Sequence, residues 1–144
     1  MTRWVRLLLP AAAVLAFVLF TGCGAAPEPA PAQTETTTEL AYEKISPDQA
    51  KDMMEQGGPY ILLDCRTEEE FAQGHIEGAV LIPYDEIEGR AATELPDRDA
   101  LILIYCRSGR RSEIAAQALI AMGYTNVRDF GGIIDWLYET VSGY

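Results

Sequence analysis

From about Tyr42 to the C-terminus the sequence predicts an α/β fold built on a mostly parallel sheet, and three observations carry that prediction. Short apolar runs alternate with helical patterns along the whole stretch, as strands and crossover helices of a layered sheet do. The run "LILIY", residues 101–105, is continuously apolar, the mark of a strand covered on both faces. No internal repeat breaks the alternation.

Taken in order, Ser46 is an N-cap with Pro47 at the first helical position, opening a helix through about Gln56 that Gly57 and Gly58 stop. "YILLD", residues 60–64, is the first clear strand. Thr67 caps "EEEFAQ", and Glu70 three residues on completes a capping box whose acids suit the positive end of the helix dipole. "AVLIP" is a short apolar run ended by Pro83. Tyr84 to Ala91 is expected as a helix or helical turn, and "TELPDRDA" as loop. After residues 101–105 and a short loop, "RSEIAAQALIAMGY" is helical, with Ile114, Ala118, Leu119, Ala121 and Met122 recurring at helical spacing and Gly123 as its stop. "NVRDF" is a last strand, leading through Gly131 and Gly132 to an expected final helix that carries Trp136 and Leu137 as core residues.

The chain has 144 residues, room for one domain and accessories, and a formal net charge of -11. That charge excludes nucleic-acid binding, which demands a basic face. Residues 1–22 read as a targeting segment: Arg3 and Arg6 precede an apolar run from Leu7 to Phe20, too short for the roughly 20 residues of a membrane span. The small residues of "FTGC" then lead into Cys23, and the whole resembles a bacterial lipoprotein signal. The resemblance implies lipidation of Cys23 and anchoring at the cell membrane outside the cytoplasm, although Phe20 departs from the usual Leu. Ordinary secretory cleavage and an uncleaved anchor are the alternatives. Residues 23–40, rich in Pro, Ala, Thr and Glu, lack hydrophobic period and read as a flexible tether. The folded domain is expected over residues 41–144.

Against so acidic a background, "YCRSGRRS" concentrates three arginines around Cys106. The segment joins a buried strand to a helix, at the carboxyl edge of a parallel sheet where ligands bind. Gly109 eases a tight turn, and amides converging ahead of a helix N-terminus form an anion site. Arg107, Arg110 and Arg111 add positive charge to it. Such surroundings lower a cysteine from about 8.5 into a range of about 3.5 to 7.5, which prepares Cys106 for nucleophilic attack on an anionic substrate.

"YILLDCRTEEEFAQGHIEGAVLIP", "LILIYCRSGRRSEIAAQALIAMGY" and "FGGIIDW" together resemble the rhodanese-like, single-domain sulfurtransferase family. That resemblance implies a three-layer fold with a five-stranded sheet flanked by helices. It also implies a persulfide mechanism without metal or organic cofactor. Cys106 would take the outer sulfur of a donor such as thiosulfate and pass it to cyanide or a thiol. The loop residues Arg107, Ser108, Gly109, Arg110, Arg111 and Ser112 would bind the small anionic donor and stabilise the persulfide charge.

Two rivals remain at this level. A tyrosine phosphatase or arsenate reductase would need a forked arginine six positions after the cysteine, where this chain has Ser112. A surface sulfur-carrier or binding module would load sulfur without turnover. Asp64 and Arg66 match the family's Asp and Arg and are expected to pair or anchor a loop, and His75, the only histidine, to serve a structural hydrogen bond. Cys65 stands where the family commonly has valine, so a small buried side chain is expected. In the alternative, Cys65 is a resolving thiol that closes on Cys106 under oxidation and needs a thioredoxin-like redox partner to reopen. Closure requires Cα atoms within about 7 Å.

Overall fold

In a computed structural model, residues 41–144 are described; the expected signal segment 1–22, Cys23 and the whole tether through residue 40 fall outside the described residues. The elements are β1 (Glu43–Lys44), α1 (Pro47–Glu55), β2 (Ile61–Asp64), α2 (Glu68–Gln73), β3 (Val80–Leu81), α3 (Ile87–Glu94), β4 (Ile102–Cys106), α4 (Arg110–Ala121) and β5 (Val127–Gly132), followed by a single 3-10 turn, Ile133–Asp135. One five-stranded sheet has the order β1-β5-β4-β2-β3. Every pairing in it is parallel.

The central strand β4 explains the layering. Its side chains alternate between faces: Ile102, Ile104 and Cys106 join Leu63, Ile87, Ala115, Ala116 and Leu119 in one core. Leu103 and Tyr105 join Leu62, Ala50, Phe130 and Trp136 in the other. Each fully buried Leu, Ile or Phe among them contributes about 1.5 to 3 kcal/mol by leaving water, so two dry faces on one strand fix its register firmly. The helices α3 and α4 cover the first face, and α1 with the C-terminal segment covers the second.

Local signals hold these elements in place. Ser46 caps α1 in a reciprocal box with Gln49, and Thr67 does the same for α2 with Glu70. Tyr124 is fully buried, and its hydroxyl shares one proton between the carbonyls of Ala91 and Leu95, at 2.8 and 2.7 Å, pinning the end of α3.

Four expectations needed correction. The two-residue β1 is new, because so short an edge strand leaves no periodicity to read. α3 runs to Glu94, into the segment expected as loop. Within α4 the buried face is Ser112, Ala115, Ala116 and Leu119, while Ile114 is exposed; small alanines let the helix lie close on the sheet, and the bulkier Ile114 is turned away. The final helix is only the turn Ile133–Asp135. Ile133 and Ile134 are β-branched and Gly132 offers no capping side chain. Instead, Val141 pairs antiparallel with His75, its N–H and C=O each at 2.8 Å from the His75 backbone. Trp136 is core, but Leu137 is 87 % exposed.

Candidate active site

Cys106 is the last residue of β4, one position inside the strand rather than just beyond it, and is 1 % exposed. The chain then turns at once. Gly109 takes φ +97°, a left-handed conformation that glycine alone adopts without strain, and serves as the N-cap of α4. This turn folds the loop back over the sulfur, so that the Gly109 N–H donates to Cys106 Sγ at 3.0 Å. The backbone N–H groups of Ser112 and Ser108 also favour the charged sulfur.

The loop rests on β5. A Cβ on Gly132 would sit 2.5 Å from the Arg107 carbonyl oxygen and 2.6 Å from Ser108 Cα, so only glycine permits the approach. The Ile134 N–H donates to the Arg107 carbonyl at 3.2 Å, and the Ser112 hydroxyl bonds the carbonyls of Gly109 and Gly131. Asp129, 3 % exposed, accepts the Gly131 N–H at 3.0 Å and so shapes that platform. Burial pushes its carboxyl up from the ordinary value. Asp129 and the two glycines carry no local pattern that marks them as loop supports, because the contact joins segments distant in the chain; "DFGG" is the one sequence signal for it.

The three arginines divide. Arg111 is forked onto Glu70, Nη1 to Oε2 at 2.6 Å and Nη2 to Oε1 at 2.7 Å. That pair brings Glu70 down to about 2. Of the three arginines expected to add positive charge to the loop, Arg111 therefore has most of its charge offset by a bidentate carboxylate. Arg107 and Arg110 are exposed, and among the described residues neither is paired with a carboxylate. Arg107 lines a cleft of about 500 Å³ with Arg66, Glu70, Gly74 and Trp136. Arg110 lines another, of about 370 Å³, with Ser108, Gly109, Asp129 and Gly131.

Cys65 lies beside Cys106. The register of β2 on β4 pairs Asp64 with Tyr105, and the Cys65 N–H donates to the Tyr105 carbonyl at 3.0 Å. The two cysteines are thus side by side at the inter-strand spacing of about 4.8 Å, inside the limit for bridging. Both thiols are free and buried. The Cys106 thiol is lowered to about 4, first by the neighbouring Cys65 thiol, against the opposing effect of burial, with Ser112 and Ser108 of the loop adding to it. The Cys65 thiol is pushed up strongly by the neighbouring Cys106 sulfur and by burial.

Asp64 and Arg66 form a buried ion pair, Nη2 to Oδ2 at 2.6 Å, with side chains 0 % and 6 % exposed. Arg66 also donates to the Gly74 carbonyl at 2.7 Å and so ties β2 to the end of α2. His75 stacks on Phe71 with centroids 3.6 Å apart, and its Nδ1 lies 2.9 Å from the Phe71 carbonyl. Its bonds are to α2 and the C-terminal segment; Cys106 is not among its partners. Among the described residues, no group of three or more His, Cys, Asp or Glu side chains is placed to hold a metal ion.

A thiolate held by backbone amides at the carboxyl edge of a five-stranded parallel sheet defines a cysteine-loop α/β domain. Residues 46–139 match the rhodanese-like domain model, and the chain belongs to that family. It is 40 % identical over 81 residues to the thiosulfate sulfurtransferase PspE of Escherichia coli K12, covering 56 % of this chain and 78 % of that protein. Among solved structures, a rhodanese with anions from E. coli is 38 % identical with a TM-score of 0.55, covering 58 % of this chain and 99 % of the other. A rhodanese-like domain protein from Staphylococcus aureus is 30 % identical with a TM-score of 0.63, covering 71 % and 99 %.

Proposed function

We propose that this domain is a sulfurtransferase working through a Cys106 persulfide. The observation that carries the reading is the Cys106 sulfur, held on the Gly109 N–H at 3.0 Å within a loop whose Arg107 and Arg110 line the two flanking clefts. The thiolate attacks the outer sulfur of thiosulfate, the S–S bond of the donor breaks, and sulfite leaves with the electron pair. Cyanide or a thiolate then attacks the outer sulfur of the persulfide, forming thiocyanate or a new persulfide and returning the Cys106 thiolate. Loop amides stabilise the anionic sulfur at both stages. The kinship with thiosulfate sulfurtransferases supports this donor.

Phosphoryl chemistry fits less well. Ser112 stands where a phosphatase would place its arginine, and its hydroxyl is bonded to Gly109 and Gly131. The deciding experiment is steady-state turnover: thiocyanate formation from thiosulfate and cyanide supports the reading. Hydrolysis of p-nitrophenyl phosphate without thiocyanate overturns it, and stoichiometric sulfur loading without turnover makes the domain a sulfur carrier.

The proposal includes placement at the cell membrane, outside the cytoplasm, through lipid on Cys23. It rests on the sequence of residues 1–40. Palmitate label entering the protein, and a precursor that accumulates under globomycin, support it; absence of both refutes it. In that setting Cys65 is proposed as the resolving thiol. A peroxide oxidises the Cys106 thiolate by two electrons to a sulfenic acid, Cys65 sulfur displaces the oxygen as water, and a thioredoxin-like dithiol reduces the resulting disulfide. A Cys65–Cys106 linked peptide after peroxide, lost on dithiol treatment, is the expected product; a sulfinic Cys106 with Cys65 still free counts against closure.

A further inference from the structure

The buried Cys65 thiol has no place in the transfer steps above, yet it is the side chain set against the reacting sulfur from inside the core. We propose that Cys65 is a positioning residue for Cys106: its S–H donates to the reacting thiolate from the core side, opposite the loop amides, and holds the sulfur in its charged form. The inference rests on the sulfurtransferase reading for its purpose and on geometry for its content.

Three observations carry it. The pairing of Asp64 with Tyr105 makes Cys65 and Cys106 register neighbours, and both side chains enter the same core cluster. Cys65 Sγ donates to the Tyr105 carbonyl at 3.1 Å, and its register neighbour Cys106 on the same face of the sheet is the second acceptor beside that proton. An ionised acceptor outcompetes a neutral carbonyl, and the proton turns to Cys106 whenever that sulfur is charged. Finally, Cys65 is fully buried and Cys106 nearly so. No water supplies the core side of the thiolate, and an apolar residue at 65 would leave it with loop donors alone.

The two thiols move in opposite directions, the sense expected for a proton that stays on Cys65. Other charged groups also bear on the pair. From α4, Arg111 acts on both sulfurs and is itself forked onto Glu70 of α2. From β5, Asp129 opposes charge on Cys106. From β2, Asp64 opposes charge on Cys65 and is bound by Arg66. Arg107 and Arg110 of the loop face the flanking clefts.

The test is a titration of the Cys106 thiolate by its ultraviolet absorbance in the full domain, with the Cys106→Ala protein as blank, in wild type, Cys65→Val and Cys65→Ser. A hydrogen bond to a charged sulfur predicts a midpoint raised by about one pKa unit or more in Cys65→Val, near tenfold in thiolate fraction on the titration slope. Cys65→Ser, which keeps a donor, is expected to restore at least half of that shift. A midpoint unmoved by Cys65→Val, or moved and not restored by serine, reduces Cys65 to packing and overturns the proposal. Where circular dichroism shows Cys65→Val unfolded, Cys65→Ala against Cys65→Ser gives the same comparison. Absorbance reads charge and not sulfur transfer, so a failure of the sulfurtransferase reading leaves this result standing on its own.

Discussion

Arg111 and Glu70 meet fork to fork across 41 positions of sequence, joining the first turn of the helix behind the cysteine loop to the capping box of α2. Glu70 bonds the Thr67 N–H as well, so one carboxylate serves as helix cap and as counterion to an active-site arginine. The domain thereby withholds one of its three loop charges from an incoming anion. Glu70→Gln keeps the cap and frees the arginine. It is expected to raise kcat/KM for the doubly negative thiosulfate about fivefold, and to cost about 1 kcal/mol in urea denaturation, the usual scale for a partly exposed pair. Unchanged kcat/KM would show that the Arg111 charge already reaches the donor.

Gly132 governs the floor of the cysteine loop. A methyl group there collides with the Arg107 carbonyl and Ser108 Cα, backbone atoms that cannot yield cheaply. Gly132→Ala is expected to displace the loop, lower thiocyanate production by at least about tenfold and destabilise the fold by about 2 kcal/mol, the scale of overpacking. Near-wild-type turnover would mean that the loop geometry is not what sets the rate.

Asp64 and Arg66 are buried together, and removing one strands the other. Asp64→Ala is expected to lower stability by about 3 kcal/mol, read as a fall in urea midpoint, because an unpaired guanidinium in the core is costly. Arg66 also loses the anchor that aims it at Gly74, so the end of α2 should show faster amide exchange. A loss under 1 kcal/mol would place this pair in contact with water.

The Cys106 thiol sets a direction for pH. Its folded value, about 4, lies below the ordinary value of about 8.5 of an unfolded chain. Taken alone, it contributes stability that is fully present above the unfolded value and is lost as pH falls through the folded one. Cys65, raised on folding, works the other way and opposes folding as pH climbs past the unfolded value. Alkylation of Cys106 is therefore expected to be nearly level across neutral pH and to fall only as pH approaches 4. A midpoint near 8 to 9 would mean an ordinary thiol.

Much of this architecture was legible because its signals are local. Ser46 and Thr67 declare helix starts, Gly109 announces the turn, and the five apolar residues from Leu101 declare a strand with two dry faces, found one position further on at Ile102–Cys106. A mostly parallel sheet follows from the alternation and its five strands from the resemblance, whereas the order β1-β5-β4-β2-β3 depends on pairings between distant segments. What escaped is what depends on distance. The Arg111 to Glu70 fork, the Asp129 support and the fit of Gly132 under Arg107 link residues far apart, and spacing says nothing of such contacts. The end of the chain failed for a related reason: Val141 finds the His75 backbone, and that pairing outweighs helical spacing around Trp136.

The most direct measurement of the central claim is mass spectrometry of the domain after exposure to thiosulfate. A persulfide mechanism predicts one added sulfur on the peptide carrying Cys106, removed by cyanide and absent from the Cys106→Ala protein. An unmodified Cys106 peptide, or added sulfur that persists in Cys106→Ala, contradicts it.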